Sequence, residues 1–113
     1  MTKILSVVLL NIVLAPLCFA GSEQIPINQT ITLIQAYDTF VFIHFTPGYP
    51  ISQGCTEAYS RGQLVIDTSN DLGRNMYSAA LSAATAQKTV GFGVLGCHIE
   101  RPKAYRIDIK FEN

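Results

Sequence analysis

One stretch of helical period, residues 71–87, stands alone in a chain otherwise written in short strands. Its place among them limits the fold more than any other feature. Leu72, Met76, Ala79, Ala80 and Ala83 recur at spacings of three and four and share one broad face, while Arg74, Ser78, Ser82 and Thr85 take the opposite one. Thr68-Ser69-Asn70-Asp71 offers several side chains able to cap the first turn. Lys88 follows at the C-terminal end, where the helix dipole favours a cation.

The strands lie on both sides of this helix. Residues 30–37 are rich in β-branched side chains. Ile31 and Leu33 keep one parity and Ile34 and Ala36 the other, a phase change that predicts a bulge. Tyr37-Asp38-Thr39 predicts a tight hairpin turn. The second strand, residues 39–46, is apolar on both faces, with Phe40, Phe42 and His44 on one and Val41, Ile43 and Phe45 on the other. A half-solvated strand would alternate, so its second face needs a cover. Pro47-Gly48-Tyr49-Pro50 ends it. Residues 63–67 form a short third strand and residues 89–95 a fourth. In the fourth, Gly91 and Gly93 mark a bend or a close backbone approach. Pro102 falls in the next loop. Tyr105, Ile107, Ile109 and Phe111 then alternate with Arg106, Asp108 and Lys110, giving a last strand with one buried face.

Three strands, a helix and two strands predict a β-rich α+β domain. The order is that of an OB-fold, a five-stranded Greek-key barrel with its helix between strands three and four. Residues 1–20 are expected to be a signal peptide. Lys3 precedes an apolar run, and Cys18-Phe19-Ala20 puts small residues at minus three and minus one of a cleavage after Ala20. The run is shorter than the ~20 residues of a spanning helix, which favours a signal peptide over a membrane anchor; no membrane span is expected in residues 21–113. Leu17, just before Cys18, is too large for a lipoprotein signal. Export leaves two cysteines, and an oxidising compartment would join Cys55 to Cys97. Closing a loop of about 40 residues is worth roughly 4 kcal/mol in the chain-entropy model.

Without Lys3 the chain carries seven basic residues against eight acidic ones. That balance gives no electrostatic footprint for nucleic acid and no polybasic membrane patch. Nucleophile-elbow, zinc-protease and phosphate-loop motifs are missing. No metal or cofactor is expected, since CxxC is missing and only His44 and His98 could assist a metal. Arg101, Lys103 and Arg106 have only Glu100 and Asp108 as acidic neighbours, a thin set for a secreted hydrolase. Asn28-Gln29-Thr30 matches the N-glycosylation sequon, idle in a bacterial product.

The run Met76-Tyr77-Ser78-Ala79-Ala80-Leu81 through Ala84, then Lys88-Thr89-Val90 and Gly96-Cys97, resembles a group of small exported bacterial proteins. That group is similar to the B subunits of AB5 toxins of the subtilase-cytotoxin and pertussis-like type. The resemblance covers most of the chain from Thr30 onward. It implies a secreted OB-fold with an internal disulfide, a cell-surface glycan as ligand, and a homo-oligomer whose helices line a central pore. None of the subunits' glycan-contacting residues is carried over. In such an oligomer Arg74, Ser78 and Ser82 are expected at the interface between subunits.

Two further surfaces are candidates. Tyr49, Ser52, Gln53, Thr56, Tyr59 and Arg61 crowd the loop around Cys55 with the aromatic and neutral polar groups that hold sugars. Phe40, Phe42 and His44 would form an assembly surface if neighbouring subunits cover them, or ordinary interior if residues 47–61 fold back over them. The sequence thus points to a secreted, non-enzymatic binding module. The alternative is a monomeric periplasmic domain with a structural or inhibitory role.

Overall fold

The computed structural model describes residues 21–56 and 60–111. The expected signal peptide and Tyr59 lie outside them. Five strands form a closed barrel in the order β1-β2-β3-β5-β4. They are β1 (Glu23–Ala36), β2 (Phe40–Thr46), β3 (Gln63–Asp67), β4 (Val90–His98) and β5 (Arg101–Ile109), with the helix α1 (Asp71–Thr85) between β3 and β4. All neighbours are antiparallel except β3 and β5, which run parallel through Val65 and Lys103. This is the predicted β-rich α+β, OB-like architecture.

β1 belongs to both halves of the barrel. Glu23, Gln24, Ile25 and Gln29 pair with β4, and Thr30 to Ala36 pair with β2. The predicted bulge falls between Ile31 and Leu33. At the changeover sits Gln29, fully buried. Its Oε1 accepts from the Gly48 N–H at 2.8 Å and its Nε2 donates to Asn28 Oδ1 at 2.7 Å. A buried amide satisfied in this way is compatible with an apolar interior.

The interior is built by alternation. Val41, Ile43 and Phe45 from β2 meet Leu64 and Ile66 from β3 and Val90, Phe92 and Val94 from β4. Gly91 and Gly93 are the predicted close approaches. A Cβ on Gly91 would meet Ile25 O at 2.6 Å, and one on Gly93 would meet the Tyr105 ring at 2.8 Å. The β4–β5 register shifts after Gly93, so Tyr105 lies over that glycine on the outer side. The strict alternation expected for the last strand fails there. Ala104 is buried in its place, Ile107 and Ile109 pack against the core, and Phe111 is exposed.

Asn70 caps α1 by accepting the Gly73 N–H at 2.8 Å. The helix ends two residues short of the expected Gln87. Gln87, at φ 57°, lets its own N–H bond Ala84 O and the Lys88 N–H bond Ala83 O. These are the bonds of a Schellman stop. The buried stripe is Gly73, Met76, Ala80 and Ala83. Leu72, expected in that stripe, is instead 55% exposed. The cause is Gly73, whose missing side chain lets the first turn lie against the β3 end. β1 and the last strand also start earlier than expected. Pro102 is a buried strand residue paired with Cys97 rather than a loop residue.

Cys55 and Cys97 form the expected disulfide, with Cα atoms 5.6 Å apart. It ties the loop ahead of β3 to the end of β4.

Candidate functional site

Because β2 sends Val41, Ile43 and Phe45 inward, Phe40, Phe42 and His44 necessarily point out. The register sets their neighbours. His44 lies between Leu33 and Gln63, Phe42 between Gln35 and Val65, and Phe40 beside Asp67. Val65 in turn adjoins Lys103 on β5. The outer side of β1, β2, β3 and β5 is thus one continuous surface.

Two short turns complete it. The Tyr37 N–H donates to Phe40 O at 2.8 Å, closing the β1–β2 turn. This stacks the Tyr37 ring on Phe40, centroids 4.9 Å apart, and sets it edge-on to Phe42 at 5.5 Å. From the first position of β5, just after the β4–β5 turn, Arg101 lays its guanidinium 4.1 Å from the Phe42 centroid. His98 approaches Phe40 edge-on at 6.5 Å. Phe42 is therefore only 7% exposed, covered by Tyr37, Phe40 and Arg101. The described residues of the loop 47–61 bond β1 through Gly48, Ser52 and Gln53 and reach the end of β4 through Gln53 and Cys55.

His44 is the polar centre of the surface. Its Nε2 lies 2.7 Å from Gln35 Oε1 and 3.3 Å from Gln63 Nε2. The ring nitrogen serves one amide at a time, donating to Gln35 when protonated and accepting from Gln63 when bare. Burial, and then the Arg101 charge, hold its pKa below the ordinary 6.5. The neutral ring is thus favoured in the folded chain, and the unfolded chain binds more protons. The resulting stability is complete above 6.5 and is lost as the pH falls below it. We expect the melting temperature to drop between pH 7.5 and pH 5, and His44→Gln to flatten that drop. An equal drop in the variant would remove His44 as its origin. Asp67 acts in a separate, more acidic window. The Ser69 hydroxyl and then the Ser69 N–H lower its pKa against the opposing effect of burial.

The loop candidates are placed as follows. Tyr49 and Arg61 join the two sides of the loop, the Tyr49 N–H donating to Arg61 O at 2.7 Å. The Ser52 N–H donates to the Glu23 carboxylate. Gln53 uses both ends of its amide within the chain. Its Nε2 donates to Gly21 O and Glu23 Oε1, and its Oε1 accepts from the Gly96 N–H. Gln53 thus reinforces the Cys55–Cys97 link. Tyr49, Thr56 and Arg61 are exposed. Arg74, Ser78 and Ser82 are exposed on the outward side of α1, where Arg74 pairs with Asp71 and donates to Thr68 O.

Sequence reasoning found Phe40, Phe42 and His44 but missed Tyr37, Gln35, His98 and Arg101 as their partners. Tyr37 could have been found, since a tyrosine opening a hairpin turn is set beside the next strand. Arg101 could not, because Pro102 concealed the start of β5.

Among the described residues no group of His, Cys, Asp and Glu is arranged to hold a metal. Nor is any helix among them long and apolar enough to cross a membrane. The fold and this surface define the class, an OB-like barrel with an aromatic and cationic outer face. Compared with models of known families, with curated proteins and with solved structures, the chain has no match. None of these comparisons links the chain to toxin B subunits.

Proposed function

We propose that the chain is an exported, non-enzymatic binding module that takes a glycan on the outer face of β2. One observation carries the reading. Tyr37, 51% exposed, stacks on Phe40 at the rim of a surface where Arg101, His98, His44 and two glutamines converge. An aromatic ring offers a platform to the apolar side of a sugar, and the surrounding groups can bond its hydroxyls. OB-type barrels bind oligosaccharides and oligonucleotides on this strand pair and its flanking turns. The near-neutral charge favours the former. The Cys55–Cys97 disulfide supports a secreted or periplasmic setting.

The test is a printed glycan array read with purified protein. Wild type should bind a defined subset, and Tyr37→Ala should weaken that binding about tenfold, the loss of one aromatic contact. A blank array, or a variant that binds as wild type does, refutes the reading. Leu33, Tyr37 and Ile99 are exposed apolar side chains at or beside the same face, which supports assembly of several copies, as large apolar patches mark interaction sites. Light scattering on the same sample decides it. A monomer that binds no glycan leaves the structural or inhibitory domain as the surviving alternative.

A further inference from the structure

β4 and β5 are joined by the tightest of hairpins. His98 pairs with Arg101, so only Ile99 and Glu100 make the turn. Both have positive φ, 49° and 63°. A two-residue turn with positive φ at both positions is the I′ pattern, which matches strand twist and is normally built from Asn-Gly. Ile and Glu are poor choices for it. A β-branched residue in the left-handed region is a genuine outlier. Gln87, the other non-glycine residue with positive φ among those described, has an ordinary explanation at the helix stop. Ile99 has none, and its side chain is 42% exposed. An apolar residue here is thus unfavourable twice, in its backbone and in its solvation.

The surroundings hold the turn in place. The Cys97 disulfide precedes it and buried Pro102 follows it. Arg101 Nη1 donates to Ile99 O at 2.9 Å while its guanidinium lies over Phe42. Strain kept by over-determining neighbours is characteristic of ligand clamps. A local choice that contradicts the fold without structural benefit points to a functional position.

We infer that Ile99 and Glu100 are specificity-determining residues of the β2 face, retained at the expense of stability because they contact the ligand beside Arg101. The inference rests on the binding reading above. The exposed Ile99 side chain supplies an apolar contact and Glu100 an acceptor at the edge of the aromatic platform.

The test compares wild type with the double variant Ile99→Asn, Glu100→Gly on the same printed glycan array, together with thermal unfolding. The double variant restores favoured turn chemistry, so its melting temperature should rise by about 4–8 °C. Its array signal should fall at least about tenfold, or move to other glycans. Glu100→Gly alone keeps Ile99 and should retain more of the signal than the double variant. A variant that is stabilised but binds as wild type does overturns the inference and leaves the binding reading intact. A melting temperature that is unchanged or lower overturns the strain on which it rests. A blank array for wild type overturns both.

Discussion

Gly73→Ala will destabilise this domain by about 3 kcal/mol, although alanine is the better helix former by roughly 1 kcal/mol. The sign follows from distance. A Cβ built on Gly73 would lie 1.6 Å from Asp67 O and 2.6 Å from Asp67 C, both backbone atoms at the end of β3. No rotamer relieves such a contact, so the first turn of α1 must move away from the strand. That movement would pull Met76 and Ala80 from the core they share with Leu64 and Ile66. It would also disturb the Asn70 cap, since Gly73 provides the capped N–H. Against a total stability of 5–15 kcal/mol for a typical domain, this is a large fraction. Urea unfolding should show a lower midpoint at an unchanged slope. Ser82→Ala, on the exposed side of the same helix, should stay within about 0.5 kcal/mol of wild type. An Ala variant more stable than wild type would mean that α1 does not lie on β3 as described.

The second large effect is expected at the disulfide. Cys97→Ser should cost roughly 2–5 kcal/mol. The bridge spans 42 residues of sequence and closes a loop that includes all of β3 and α1. Gln53 bonds Gly96 beside it, so the loss extends to the hydrogen bonds that hold the loop against β1. Adding reductant to wild type should lower its melting temperature toward that of the variant, whereas the variant should not respond. Two free thiols in non-reduced protein, or a variant as stable as wild type, would contradict the structural role.

The architecture was legible in the sequence because its signals are local and repeated. The period of α1, the apolar run of β2 and the parity change between Leu33 and Ile34, beside the bulge at Ile31 and Leu33, each needed only a few neighbouring residues. The misreadings fall where a distant part of the chain decides. Leu72 reads as core by spacing, but Gly73 takes the contact because a strand end lies beneath it. Tyr105 reads as inward until Gly93, on another strand, shifts the register. Gln29 lies ahead of the first strand as read from the sequence, and is buried because β1 starts earlier and changes partners there. For the site, Phe40 and Phe42 were visible as an apolar excess. Their partner Arg101 was hidden because Ile99-Glu100 has none of the chemistry by which a turn is recognised.

The double membership of β1 also governs the order in which the barrel can assemble. β1, β2 and β3 are sequential neighbours and can pair as soon as they are synthesised. The stretch from Glu23 to Gln29 has its partner in β4, on the far side of α1. Until that strand arrives, the first half of β1 is an open edge with unpaired backbone groups, a template for pairing with other chains. Closure waits on contacts of long sequence separation, which form slowly because their loop entropy comes first. Pro26 lies within that waiting edge, and proline on an edge strand interrupts the hydrogen-bond row that a second chain would need. A residue that contributes no donor to the finished barrel thus protects the unfinished one.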